Sequence, residues 1–182
     1  MKTSFLAATF CVIALTGCSD ARKPGAEEKV LPQQNDKEKK DSWVQITSVE
    51  GQFTSWFPHE PTHTLPEGDL VHQYLAETED IAFLVRYTPQ ADTTISLDAR
   101  LAAARRAMKS TNAKIIPVTI CGYPAKEMSH EYVIEGHHAS SRQRIVYARG
   151  AMYQLVVVAV KAKGIPEEDA RRFYAGFQLL TP

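Results

Sequence analysis

The chain has 182 residues, a length suited to one domain, with 21 basic residues against 21 acidic ones. Nothing in that balance favours a nucleic-acid partner, which would want a basic surface. An apolar share of 44% excludes a wholly disordered chain.

Lys2 precedes an apolar run from Phe5 to Leu15. The run has the length of a secretory-signal core and falls short of the roughly 20 residues a membrane-spanning helix takes. It ends in Leu15-Thr16-Gly17-Cys18, which resembles the lipobox of bacterial lipoproteins. The resemblance implies a signal peptide over 1–17 and a Cys18 that becomes the first mature residue, carrying diacylglycerol on sulfur and a further acyl chain such as palmitate. Two or more chains hold a protein firmly at a bilayer, where one holds it only reversibly. The alternatives are an ordinary signal cut elsewhere or an uncleaved anchor. Ser19 follows the cysteine. The Asp that keeps enteric-type lipoproteins at the inner membrane is absent there, so the outer membrane, facing the periplasm, is the expected location.

Residues 18–41 form the expected tether. After Cys18 they are rich in Lys, Glu, Asp, Gln and Pro, with only Val30 and Leu31 large and apolar. Such a stretch cannot bury enough surface to offset the entropy of ordering it. Asp36, Glu38 and Asp41 cancel Lys37, Lys39 and Lys40, so a solvated linker is read here in place of a lipid-binding basic patch.

Residues 42–182 are the expected folded domain. Trp43–Ile46 and Phe53–Phe57 read as strands about an Glu50-Gly51-Gln52 turn, the second closed by Pro58 as an edge strand would be. Leu70–Glu77 and Ile81–Tyr87 follow as a hairpin. Leu97, Leu101, Ala104 and Met108 then recur at helical spacing, with Ser96 placed to cap a helix of about four turns and its arginines on the solvated face. Strands are expected over Lys114–Ile120, Ala125–Ile134, His138–Arg149 and Met152–Val160, with a turn at Gly122-Tyr123-Pro124. The last strand is apolar on both faces and should be central and covered on both sides. Pro166 opens a final helix whose inward residues are Ala170, Phe173 and Phe177, ending at Gly176. The order gives an α+β fold, an antiparallel sheet sandwiched with helices.

Several local patterns carry a second resemblance: Gly51-x-Phe53-x-x-x-Phe57-Pro58, Ile120-x-Gly122-Tyr123-Pro124-Ala125-x-Glu127, Arg144-x-x-Tyr147-x-x-Gly150-x-x-Tyr153, and Phe173-x-x-x-Phe177. In this order, over residues 43–180, they resemble the Mog1/PsbP-like superfamily. That resemblance implies a mostly non-enzymatic domain acting as assembly factor, adaptor or binding module, with no shared catalytic residues to carry over.

His59-Glu60-Pro61-Thr62-His63 matches H-E-x-x-H, the zinc-peptidase motif. That chemistry needs a helix, so that both histidines share a face and the glutamate serves as base. Pro58, Pro61 and Pro66 deny the helix, and neither Glu77 nor Glu79 makes a convincing third ligand. The segment is read as an exposed loop. His137 and His138 are adjacent and point to opposite faces of a strand; with His72 and His130 they are read as surface or turn histidines, although a His pair across strands remains an alternative for metal. Asp92, Asp98 and Glu127 form no recognisable acid/base set. Trp43, Trp56 and Tyr87 are read as core aromatics in preference to a ligand groove. Cys11 would leave with the signal and Cys18 would be consumed, so Cys121 stands alone, expected buried and inert in place of an intermolecular disulfide or a reactive site.

The resulting expectation is a non-catalytic, lipid-anchored envelope protein that binds a protein partner or assists assembly, with no catalytic, metal or cofactor residues assigned. The alternative is a small-molecule or metal-binding module. A zinc hydrolase built on His59, Glu60 and His63 is the remote third.

Overall fold

The computed structural model describes residues 43–65, 70–110, 112–134, 136–160 and 164–181. The expected signal, Cys18 and the tether lie outside them. Among the described residues no helix is long and apolar enough to cross a membrane.

The elements run β1 (Val44–Ser48), β2 (Phe53–Phe57), β3 (Thr62–Thr64), β4 (His72–Glu77), β5 (Ile81–Thr88), α1 (Leu97–Ala107), β6 (Lys114–Ile120), β7 (Tyr123–Ile134), β8 (His137–Ala148), β9 (Ala151–Val160), α2 (Glu167–Ala175) and β10 (Gln178–Leu179). They form a mixed α+β fold of antiparallel sheets with two helices, as the sequence predicts. The described residues form two sheets, however, where one was expected. Seven strands lie in the order β3-β4-β5-β9-β8-β7-β6, and three form a separate sheet, β1-β2-β10. A two-residue strand such as β10 is too short to leave a periodic signal, so the partner of β2 on that side was not legible. Pro58 therefore ends the middle strand of the small sheet, not an edge strand.

The meander β6–β9 brings β9 back against β5, which makes β9 the fourth of seven strands. Its residues alternate. Ala151, Tyr153, Leu155, Val157 and Ala159 are buried, and their neighbours are half-buried. The buried face meets Phe53 and Phe57 of the small sheet and Ala170, Phe173 and Phe177 in and just beyond α2 in one continuous core. The opposite face carries a smaller cluster, in which Leu101 of α1 packs on Met128 and Ile145. So α1 covers one face of the large sheet, and α2 with the small sheet covers the other. The expectation that β9 is central holds; full cover on both faces does not.

Local chemistry accounts for the ends of these elements. The Ser96 hydroxyl accepts from the Ala99 N–H at 3.2 Å, and Leu97–Ala107 makes three turns, one fewer than expected. Arg100 is not merely solvated, because it donates to the Tyr147 hydroxyl and, at 3.0 Å, to the Asp92 carbonyl. The β6–β7 turn is Cys121-Gly122, with φ of 49° and 83°. Paired positive φ is what a two-residue type I′ hairpin demands, so Tyr123 and Pro124 belong to β7 and not to the turn. Pro117 lies in β6, which ends the sheet; an edge strand has one side with no ladder to break. Position 176, the end of α2, takes glycine because Trp56 lies against it: an added Cβ would stand 2.5 Å from the indole Cδ1.

His130 on β7 is buried, and neither ring nitrogen has a hydrogen-bond partner among the described residues. Burial holds its pKa below the ordinary value. The unfolded chain therefore takes up this proton first as the pH falls. The contribution of neutral His130 is complete above about pH 6.5 and is lost as the pH drops through that value toward the lower folded pKa. In urea titrations, His130→Leu should leave stability at pH 7.5 within about 1 kcal/mol of the parent, and should lose less between pH 7.5 and 5.5. A parallel decline in both proteins would refute the assignment.

Candidate functional site

The H-E-x-x-H residues do not converge. Thr62–Thr64 is strand β3, paired with β4, so part of the expected loop is extended backbone. Both ring nitrogens of His59 face backbone carbonyls, Nε2 that of Glu77 at 2.7 Å and Nδ1 that of Glu60 at 3.0 Å. These carbonyls, Glu77 foremost, raise the His59 pKa. Donating to both carbonyls takes the imidazolium, which has no lone pair for a metal. Glu60 is exposed. Helix, paired ligands and base are thus not assembled here.

His63 finds other company. It stands opposite Tyr74 in the β3–β4 register, and His72 stands opposite Tyr87 in the β4–β5 register. Residues two apart on a strand share a face, so these four rings lie together. His63 stacks on Tyr74 with centroids 4.3 Å apart and planes 6° from parallel, and His72 lies 5.5 Å from Tyr87. His63 Nε2 and His72 Nδ1 are 3.2 Å apart. Above the pair comes Glu50, in the β1–β2 turn. One ligand atom from each of Glu50, His63 and His72 lies within 4.8 Å of the others.

The turn is tied down from below. The Tyr74 hydroxyl donates to Ser48 Oγ at 2.8 Å, the Gly51 N–H donates to the same Oγ at 2.9 Å, and the Tyr153 hydroxyl donates to the Gly51 carbonyl at 2.9 Å. Burial lifts the pKa of Tyr74 and takes that of Tyr153 to about 12, so both remain donors at any physiological pH. Glu50 is the residue that sequence reasoning passed over. Its signal was faint, because it sits in a turn and reaches the histidines only through the packing of one sheet on another.

The remaining candidates separate. Asp92 accepts from Thr94, which lowers its pKa. Asp98 pairs with Lys126 at 3.2 Å. Glu127 is buried against Arg144 at 2.7 Å, with the Arg144 guanidinium 4.1 Å over the Tyr174 ring. Each acid has its own partner, and the three do not form one centre. His137 and His138 are both exposed. Trp43, Trp56 and Tyr87 are half-buried, not fully internal; Trp43 and Trp56 flank the Arg172 guanidinium at 5.1 and 5.7 Å. Cys121 is exposed, against the expectation of burial, because the first residue of a two-residue hairpin turn projects from the sheet.

One face of the large sheet has a feature the sequence did not suggest. Leu75, Leu84 and Val156 stand in one row across β4, β5 and β9, with Ala82 and Val158 beside them. All five are half-buried, and none belongs to either hydrophobic cluster. They share a face with Met152, which packs at the α1 cluster, and lie beyond its reach.

No known family profile matches the chain, and no curated protein matches it. Solved structures do resemble it. A Bacteroides thetaiotaomicron protein aligns at a TM-score of 0.52 and 13% identity over 77% of this chain and 49% of its own. The chain thus spans about half the length of that protein. A Pseudomonas aeruginosa protein of unknown function, PA94, aligns at a TM-score of 0.38 and 12% identity over 70% of this chain and 85% of that one. LpqN of Mycobacterium tuberculosis, involved in cell envelope biogenesis, aligns at 0.40 and 14% over 78% and 80%. At such identities the first of these likenesses speaks for the fold alone, and the other two carry no further argument.

Proposed function

We propose that this chain is a lipid-anchored, non-catalytic envelope protein with a Mog1/PsbP-like domain, held at the periplasmic face of the outer membrane through Cys18, whose domain engages a protein partner. The observation that carries the partner is the row of half-buried apolar residues Leu75, Leu84 and Val156, which lies outside both hydrophobic clusters of the described residues. An antiparallel sheet with one solvated side ordinarily turns polar residues outward, and contiguous apolar surface marks an interaction site. The superfamily reading is supported by the convergence of its motif residues: Phe53, Phe57, Tyr153, Phe173 and Phe177 meet in one core. The anchor rests on Leu15-Thr16-Gly17-Cys18.

Two arms test the reading. Cys18→Ser should abolish palmitate labelling and release the protein from the membrane fraction; unchanged labelling would end the anchor. A photocrosslinker at position 84 should give one recurrent adduct in intact envelopes that Val156→Lys abolishes. Leu84→Lys places a charge on a half-buried position and should cost about 0.5–3 kcal/mol, as most single changes do, so the crosslinker is read in the folded protein. Scattered adducts, or one that Val156→Lys leaves unchanged, would refute partner binding by this face.

A further inference from the structure

We propose that Glu50, His63 and His72 bind one divalent transition-metal ion of the zinc and copper class, at the corner where the β1–β2 turn meets the β3 edge of the large sheet. This site is separate from the apolar row and does not depend on it.

The spacing fits. Two ligands each about 2.0–2.1 Å from zinc, at the tetrahedral angle, stand about 3.3–3.4 Å apart. His63 Nε2 and His72 Nδ1 are 3.2 Å apart. Without a metal, that distance requires one ring to donate its N–H to the lone pair of the other. A metal ion takes the place of that proton and uses both lone pairs. A Glu50 carboxylate oxygen, within 4.8 Å of one ring nitrogen of each histidine, completes three ligands and brings negative charge to the cation. The side chains of Glu50 and His63 are exposed, which leaves a fourth position open to water or to a group from another molecule.

Orientation is built in. Imidazole ligands need their planes held by neighbours, and such supporting groups matter nearly as much as the ligands. Tyr74 supplies this twice: its ring stacks on His63, and its hydroxyl holds Ser48, which in turn holds the Gly51 N–H. Tyr153 holds the same turn from the central strand. The donor set decides the metal class. Two imidazoles and one carboxylate suit zinc, copper, nickel or cobalt, whereas calcium and magnesium prefer all-oxygen shells.

The test uses the full-length chain, freed of metal by chelation and titrated with zinc sulfate by calorimetry, with cobalt as a spectroscopic probe of tetrahedral nitrogen and oxygen ligation. One zinc per chain is expected, with no heat from calcium or magnesium at the same concentrations. Tyr74→Phe keeps the stacked ring and loses the Ser48 bond, and should weaken binding about 10–100-fold. His63→Ala and His72→Ala should each weaken it further, and His138→Ala should leave it unchanged. Because His63 is exposed on an edge strand, its variant should fold normally, which circular dichroism would verify. The proposal is overturned by an absence of zinc binding, by zinc binding that survives the double His63→Ala/His72→Ala change, or by calcium binding as tightly as zinc.

Discussion

Replacing Phe53 by alanine is expected to remove about 3–5 kcal/mol of stability, measured as a fall in the urea midpoint at constant slope. Phe53 is fully buried in the middle strand of the small sheet. Its ring meets Tyr74 edge-on at 5.4 Å, Tyr153 edge-on at 6.2 Å and Phe177 at 5.4 Å. Truncation therefore forfeits both the transfer energy of the ring and three aromatic contacts, each worth about 0.5–1.5 kcal/mol beyond area. The surrounding groups cannot readily collapse into the space, because Tyr74 and Tyr153 are tied by their hydroxyls to the β1–β2 turn. A domain of this size holds about 5–15 kcal/mol in total, so the variant should sit near the limit of folding. A loss below about 2 kcal/mol, under the range for such truncations, would show that the two tyrosines are free to move, and would undercut the pre-organised turn as well.

Gly51→Ala should cost about 1–3 kcal/mol, as overpacking does. The cause is space, not backbone conformation. An added Cβ would stand 2.6 Å from Phe53 Cε1 and 2.8 Å from Ser48 Oγ, and Phe53 cannot give way. Gly122 makes the control: its φ is +83° and an added Cβ would meet nothing within 4 Å, so Gly122→Ala feels only the backbone penalty, about 1 kcal/mol. The two variants should also differ in zinc binding. Displacing the Gly51 turn moves Glu50, while the β6–β7 turn that holds Gly122 carries none of the three ligands. Equal losses of stability and equal zinc affinities would refute this account.

Local features of the fold were legible and long-range ones were not. Ser96 and the Leu97, Leu101, Ala104 and Met108 spacing identify α1, because capping and amphipathic period act within a few residues. Phe53–Phe57 alternates between buried and half-buried positions and was predicted to the residue. The second sheet escaped notice because β10 has two residues and pairs across most of the chain. The same reason hid the candidate metal site. The H-E-x-x-H string drew attention to His59, whose nitrogens are occupied by carbonyls, while the partners of His63 are His72, nine positions on, and Glu50, brought near by a different sheet. Cys121 was misjudged because a lone cysteine is ordinarily internal, whereas a tight hairpin exposes whatever stands at its tip.

The hydrogen bond from Tyr153 to Gly51 joins positions 102 apart in the chain. During synthesis at about 5–20 residues per second, roughly 5–20 s separate the appearance of its two ends. Over that interval β1 and β2 lack β9 and α2, whose residues cover Phe53 and Phe57 in the finished core, and an isolated two-stranded hairpin is marginal in water. A product truncated before residue 153 therefore lacks both the tie that holds the β1–β2 turn and the strand that covers Phe53.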